Sequence, residues 1–190
     1  YYSSSPRIEG NVIEDNNGQG IYVYYSSSPR IEGNVIEDNN GQGIYVYYSS
    51  SPRIEGNVIE DNNGWGILVE SSSSSRIEGN IIEGNGGGIH SESSSPIIID
   101  NILINNGNYG IRLAYSTPTI IGCNNISNHT YGIDAYSSTV TVENCSISST
   151  SYDYYLSSSA YIQSVNTSFN RSRVYFSGSD GILDVYWCDT

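Results

Sequence analysis

Short apolar runs separated by turn residues set the pattern of this chain. Residues 1–23, YYSSSPRIEGNVIEDNNGQGIYV, contain three such runs: RIE, NVIE and GIYV. Alternation places Ile8, Ile13, Ile21 and Val23 on one face, and Arg7, Glu9, Glu14 and Tyr22 on the other. The Ser-Ser-Ser-Pro and Asp-Asn-Asn-Gly clusters between the runs are turn chemistry. No segment shows a 3.6-residue apolar period, so helices are not predicted. The same 23 residues recur unchanged at 24–46, and at 47–69 with Trp65 for Gln and Leu68 for Tyr. The pattern loosens through 70–156, and 157–190 holds one degenerate unit and a closing strand, GILDVYW. Three short strands and three corners in every 21–23 residues describe one rung of a parallel β-solenoid. Leucine-rich repeats share the period but need a leucine consensus that is missing here, and a propeller blade needs about 40 residues. The expectation is one all-β domain over residues 1–190, of about eight rungs. At ~4.8 Å per rung it is a rod roughly 40 Å long.

Stacking copies on one another turns each repeated residue into a column. Ile31, Ile36, Ile44 and Val46 should lie over the inward residues of the first rung. Asn11, Asn34, Asn57, Asn80 and Asn101 share one corner, and Asn16, Asn39, Asn62 and Asn85 another. Inward asparagines at such corners can bond rung to rung as an amide ladder. Gly20, Gly43, Gly66, Gly88, Gly110 and Gly132 precede the third strand, where a bend excludes a Cβ.

The skeleton P-x-I-x-x-N-x-I-x-x-N-x-x-x-G-I resembles the right-handed parallel β-helix repeat of the pectate-lyase-like superfamily. It is most similar to the NosD-like, carbohydrate-binding and sugar-hydrolysis group. The resemblance covers nearly the whole chain and implies a right-handed parallel β-helix. The segments 165–170 and 179–187 resemble the ends of β-helix modules in surface proteins of methanogenic archaea, where further modules usually follow.

Charge narrows the partners. The chain carries 20 acidic and 7 basic residues, a net charge of −13, and every basic residue is Arg. Nucleic acid and anionic membrane surfaces are thereby disfavoured. No run of 18 apolar residues predicts membrane insertion. No leader opens the chain and no initiator Met is present, which reads as a mature or excised piece.

Candidate chemistry is sparse, and the chain is not expected to be an enzyme. His90 and His129 lie in different rungs with dissimilar neighbours and are expected on the solvent face. No catalytic residue and no metal site is assigned. Columns Glu14, Glu37, Glu60, Glu83 and Asp15, Asp38, Asp61 bring like charges together, which Ca²⁺ would relieve. The glycine-rich nonapeptide of calcium-binding solenoids is missing, so a solvated acidic face partly neutralised by Arg30 and Arg53 is preferred, and no cofactor is expected. Tyr22 with Tyr45, Tyr24 with Tyr47, and Tyr25 with Tyr48 form aromatic stripes, which Tyr1 and Tyr2 extend. Tyr115 and Tyr136 should continue the Tyr24 stripe. Tyr22, Tyr45, Tyr24 and Tyr47 are candidates for stacking on sugar rings; ring-on-ring support of the solenoid is the competing role.

Cys123 and Cys145 should stack, either within disulfide reach or as a buried thiol ladder replacing the asparagines; Cys188 is the odd thiol. Asn125, Asn128, Asn144, Asn166 and Asn170 head N-glycosylation sequons, about as many as so Asn- and Ser-rich a composition generates by chance.

The preferred reading is a non-catalytic, extracellular, structural or adhesive module of a larger cell-surface protein. The alternatives are a carbohydrate-binding module or a fragment of a polysaccharide-active enzyme, and an engineered repeat scaffold. The chain opens directly on a full repeat without a cap. Its expected partners are therefore flanking modules or other copies stacked end-on against Ile8, Ile13 and Ile21, with glycans as a further class.

Overall fold

A computed structural model describes residues 4–71, 73–123, 125–178 and 180–187. The chain winds into a right-handed parallel β-helix with three sheets running along the rod. The first sheet has nine strands, from Arg7–Glu9 to Ile182–Tyr186. The second has seven, from Val12–Glu14 to Ile147–Ser148, and the third eight, from Ile21–Tyr24 to Val174–Ser177. All pairing is parallel and in register, as in Ile8 against Ile31 and Ile13 against Ile36. Among the described residues the only helical element is the 3-10 turn Arg171–Arg173. The Asn170 side chain caps it by accepting from the Ser172 N–H.

The interior has aliphatic columns in the middle of each sheet and polar columns at the corners. Ile31, Ile36, Ile44, Ile54 and Ile59 are fully buried, and Ile8 and Ile13 are partly covered. Some corner N–H groups bond to the backbone of the neighbouring rung, and others, such as that of Asn34, are satisfied by side chains. At the first corner, the Asn34 backbone and amide N–H groups donate to Asn57 Oδ1 at 3.0 and 2.9 Å. Asn57 in turn donates to the Ile31 carbonyl and to Asn80 Oδ1. This column runs from Asn11 to Asn101, then changes to Cys123, Cys145 and Thr167, all buried. At the second corner the column runs from Asn16 through Asn39, Asn62, Asn85 and Asn106.

The third corner holds a ladder that the Ser-rich turns concealed. Ser27, Ser50, Ser73, Ser94, Ser116 and Ser138 point inward, and from Ser50 onward each hydroxyl accepts the backbone N–H of the serine one rung before it. The column ends at the buried Ala160.

Two expectations are corrected. His129 is not on the solvent face: it is completely buried. It takes the asparagine place after Asn106, with Nδ1 2.9 Å from the Asn106 carbonyl and Nε2 3.0 Å from that of Leu103. Imidazole fits because it too carries two polar atoms that reach backbone groups. Burial holds its pKa below the usual value, while both carbonyls pull it back. His90 is half-buried rather than exposed.

Tyr115 and Tyr136 do not share a column. Tyr136 pairs with Ala114, in the column of Tyr24, Tyr47, Glu70 and Glu92. Tyr115 sits one residue later, at the left-handed corner position of Tyr25 and Tyr48 (φ 51, 55 and 61°). Rungs here lose residues at their corners, so counting from the start of each unit slips by one.

The glycine column has a steric cause. A Cβ on Gly43 would lie 2.6 Å from Ile59 Cγ2 and 2.8 Å from the Gly66 carbonyl oxygen. Beyond Gly132 the column closes with the buried Asp153, whose carboxylate accepts the N–H groups of Ser149 and Asn170 at 2.7 and 2.6 Å. A carboxyl oxygen supplies at this end what the asparagine amide oxygen supplies elsewhere.

Candidate functional site

The outer face of the third sheet gathers 11 of the chain's 22 aromatic side chains. Its strands offer three outward positions per rung. The first column contains Trp65, Gly87, Tyr109, Tyr131 and Tyr152. The second runs Tyr22, Tyr45, Leu68, His90, Arg112, Asp134, Tyr155 and Tyr175. The third is the column of Tyr24, Tyr47, Glu70, Glu92, Ala114 and Tyr136 described above.

The four tyrosines singled out from the sequence come together here. Tyr22 stacks on Tyr45 with centroids 5.1 Å apart, and Tyr24 on Tyr47 at 5.9 Å. Tyr25 lies on Tyr48 at 5.1 Å, nearly parallel. Tyr1 and Tyr2 lie outside the described residues. The rings therefore present their faces to each other along the rod and their edges sideways. The Tyr45 hydroxyl donates to Glu70 Oε2 at 2.5 Å, and burial together with this bond raises its pKa.

The middle rungs differ. Trp65 leans across the place left by Gly87, where a Cβ would strike its ring, and stacks on Tyr109 at 5.8 Å. Tyr109 stacks on Tyr131, and Tyr131 on Tyr152. Beside this aromatic wall lie His90, Arg112 and Asp134 on successive rungs. The Trp65 ring is 4.8 Å from His90, and the Arg112 guanidinium lies over Tyr109. Arg112 Nε faces Asp134 Oδ2 at 3.6 Å. That is too long for a hydrogen bond, and among the described residues the buried His90 Nε2 and Arg112 Nε have no hydrogen-bond partner. Burial next to Arg112 lowers the His90 pKa to about 4, and burial raises that of Asp134 to about 6 against the pull of Arg112. Sequence reasoning missed this trio because three different residues spaced by 22 carry no repeat signature.

The shifted carboxylate predicts a measurable pH dependence. A folded-state pKa raised from 3.8 to about 6 means that the fold favours protonated Asp134. Its contribution therefore opposes folding above pH 6 and fades as pH falls towards 3.8. Asp134→Asn should raise stability at pH 7.5 by roughly 1–3 kcal/mol, with the gain vanishing near pH 4. His90 acts oppositely: its stabilising neutral form is lost as pH falls from 6.5 through 4. Denaturant melts of both proteins at several pH values check the sign. A gain that does not change with pH would show that Asp134 is not the titrating group.

The remaining sequence candidates are dispersed. Asn128, Asn144, Asn166 and Asn170 are exposed, and Asn125 is half-buried in strand Asn125–Ser127. Asn128, Asn144 and Asn166 adopt positive φ of 62, 53 and 47°, a conformation that asparagine tolerates better than most residues. On the first sheet Arg7, Arg30, Arg53 and Arg76 each pair within 2.6–2.7 Å with the glutamate two residues on. Glu14, Glu37 and Glu60 stack in register on the second sheet, and desolvation and Glu60 raise the Glu37 pKa. Cys123 and Cys145 are buried free thiols, and Cys188 lies outside the described residues.

Two family models match the chain. One, described as a right handed beta helix region, matches residues 1–125. The other, described as periplasmic copper-binding protein (NosD), matches residues 65–190. No curated protein matches the chain. The donors do not fit the copper of that description: among the described residues no three His, Cys, Asp or Glu side chains converge. His129 has both ring nitrogens against carbonyls, and His90 has a guanidinium for a neighbour. No described helix is long and apolar enough to cross a membrane. Each model spans well over half of the 190 residues, and the chain belongs to the right-handed β-helix proteins of the NosD group.

Proposed function

We propose that this chain is a non-catalytic structural module, a rigid extracellular or periplasmic rod within a surface assembly. One observation carries the reading: the repeated residues are used up in holding the rod together. The asparagine and serine columns bond rung to rung, and the tyrosine stripes spend their ring faces on one another. A sugar-stacking surface would leave those faces open. The periplasmic description of the matching family supports export. Its proposed partners are further rungs, in flanking modules or other copies. Strands Arg7–Glu9, Val12–Glu14 and Ile21–Tyr24 each pair on one side among the described residues. The depression beside them, about 310 Å³, is lined by Ile8, Ile21 and Val23.

A glycan array combined with a polysaccharide-turnover screen tests the proposal. The expected result is neither binding nor turnover; saturable binding or cleavage abolished by a single substitution would overturn it. A second reading, a glycan-binding module, is favoured by the unsatisfied His90 Nε2 and Arg112 Nε beside Asp134 and the aromatic wall. Under that reading Arg112→Ala would abolish binding while Tyr22→Ala would not.

A further inference from the structure

The two buried thiols stand where the strongest inter-rung ties stop. As far as Asn101, each asparagine at the first corner makes side-chain hydrogen bonds to neighbouring rungs. The next two places are Cys123 and Cys145, and a thiol is a weak substitute for an amide. Their backbones are held in adjacent register: the Gly122 N–H donates to the Glu143 carbonyl at 2.8 Å, and the Ser146 N–H to the Cys123 carbonyl at 3.0 Å. Parallel strands lie about 4.8 Å apart. That spacing falls inside the 4.4–6.8 Å window of Cα separations that a disulfide spans. Both side chains are buried in the same corner column, where the Cys145 thiol donates to the Glu143 carbonyl at 3.2 Å.

We propose that Cys123 and Cys145 are a redox-formed staple between adjacent rungs, closed by a small peroxide oxidant. The inference is independent of the structural-rod reading. The two sulfurs are unequal. The neighbouring Cys123 thiol holds the Cys145 pKa below its usual value, whereas the Cys145 side chain and burial push the Cys123 thiol well up. Cys145 is the attacking sulfur and Cys123 the resolving one. The Cys145 thiolate attacks one oxygen of hydrogen peroxide, the O–O bond breaks, and the departing hydroxide takes up a proton to leave as water. The sulfenic acid on Cys145 is then attacked by the Cys123 sulfur. The S–O bond breaks, the thiol proton leaves with the hydroxide as a second water, and the S–S bond forms. The two thiols are oxidised and one peroxide is reduced to two waters. Access is short, since Asn144 and Ser146 on either side of Cys145 are exposed.

The test is to treat the folded full-length chain with hydrogen peroxide, block free thiols after unfolding, and map the peptides by mass spectrometry. Cleavage after aromatic residues separates the two cysteines at Tyr131 and Tyr136. A Cys123–Cys145 linked peptide, reversed by reductant, is expected in the wild type and in Cys188→Ser. Oxidation should raise the thermal midpoint by several degrees, because the link closes a loop in the unfolded chain. Cys123→Ser should abolish both effects. Cysteines still fully blockable after treatment, links made only through Cys188, or sulfinic acid accumulating on Cys145 would each overturn the staple. The mapping needs only the wild-type chain, so a variant that fails to fold leaves it decisive.

Discussion

Replacing Ile36 with alanine is expected to cost about 2–5 kcal/mol, the usual range when a core side chain is truncated and the site cannot collapse. Ile36 is fully buried, stacked in register between Ile13 and Ile59, and its Cγ2 faces the space that a Cβ on Gly20 would need. A column shared by successive rungs cannot relax at one level without disturbing the levels on either side. The adjacent Glu37→Ala should be neutral or slightly stabilising. It removes one carboxylate from a like-charged column in which Glu60 already raises the Glu37 pKa. Denaturant melts of the two variants decide the matter. Equal losses from both would mean that the interior column is not what holds the rungs together.

The second large effect is expected at Asn57. Asn57→Ala strands the Asn34 backbone and amide N–H groups and the Ile31 carbonyl inside the rod, because all three bond to the Asn57 side chain. Unsatisfied buried polar groups cost roughly 1–3 kcal/mol each, and partial relaxation brings the total to about 3–5 kcal/mol. Asn11→Ala is the control. Asn11 heads the same column but is exposed, so water replaces the lost bonds and the loss should stay under about 1 kcal/mol. Hydrogen exchange at the Asn34 amide gives a local readout, since it should lose protection in Asn57→Ala. A loss at Asn57 no larger than at Asn11 would remove the amide ladder from the account of stability.

Much of this architecture is written in the period. A strand alternates its side chains whatever it packs against, and a parallel rung repeats that alternation over the rung before it. The isoleucine columns, the two asparagine columns and the glycine column therefore follow from lining up the 23-residue repeats. Each of these residues has one inward neighbour type and one role.

The harder positions are those where identity alone is ambiguous. Five serines in a row at 71–75 read as turn, and nothing local says that Ser73 rather than Ser74 faces inward; the hydrogen bond from the Ser50 N–H decides it. His129 has no asparagine-like signature, yet in the Asn106 column its two ring nitrogens reach the same kind of backbone group that an amide does. Tyr115 and Tyr136 part company because register is kept by backbone pairing and not by residue count.

The sequence by itself determined the all-β class, the stacking of some eight rungs, and the inward aliphatic and asparagine columns. These depend on periods of two and of about 22 residues, which are properties of the chain. Only the tertiary structure decided which diverged residues stand next to one another. The stacking of Cys123 on Cys145 was already implied by their spacing. His90, Arg112 and Asp134, by contrast, become a trio because successive rungs bring residues about 22 apart into adjacent register. Their pKa shifts follow from the burial and charge that this adjacency creates, so no inspection of the residues singly could have supplied them.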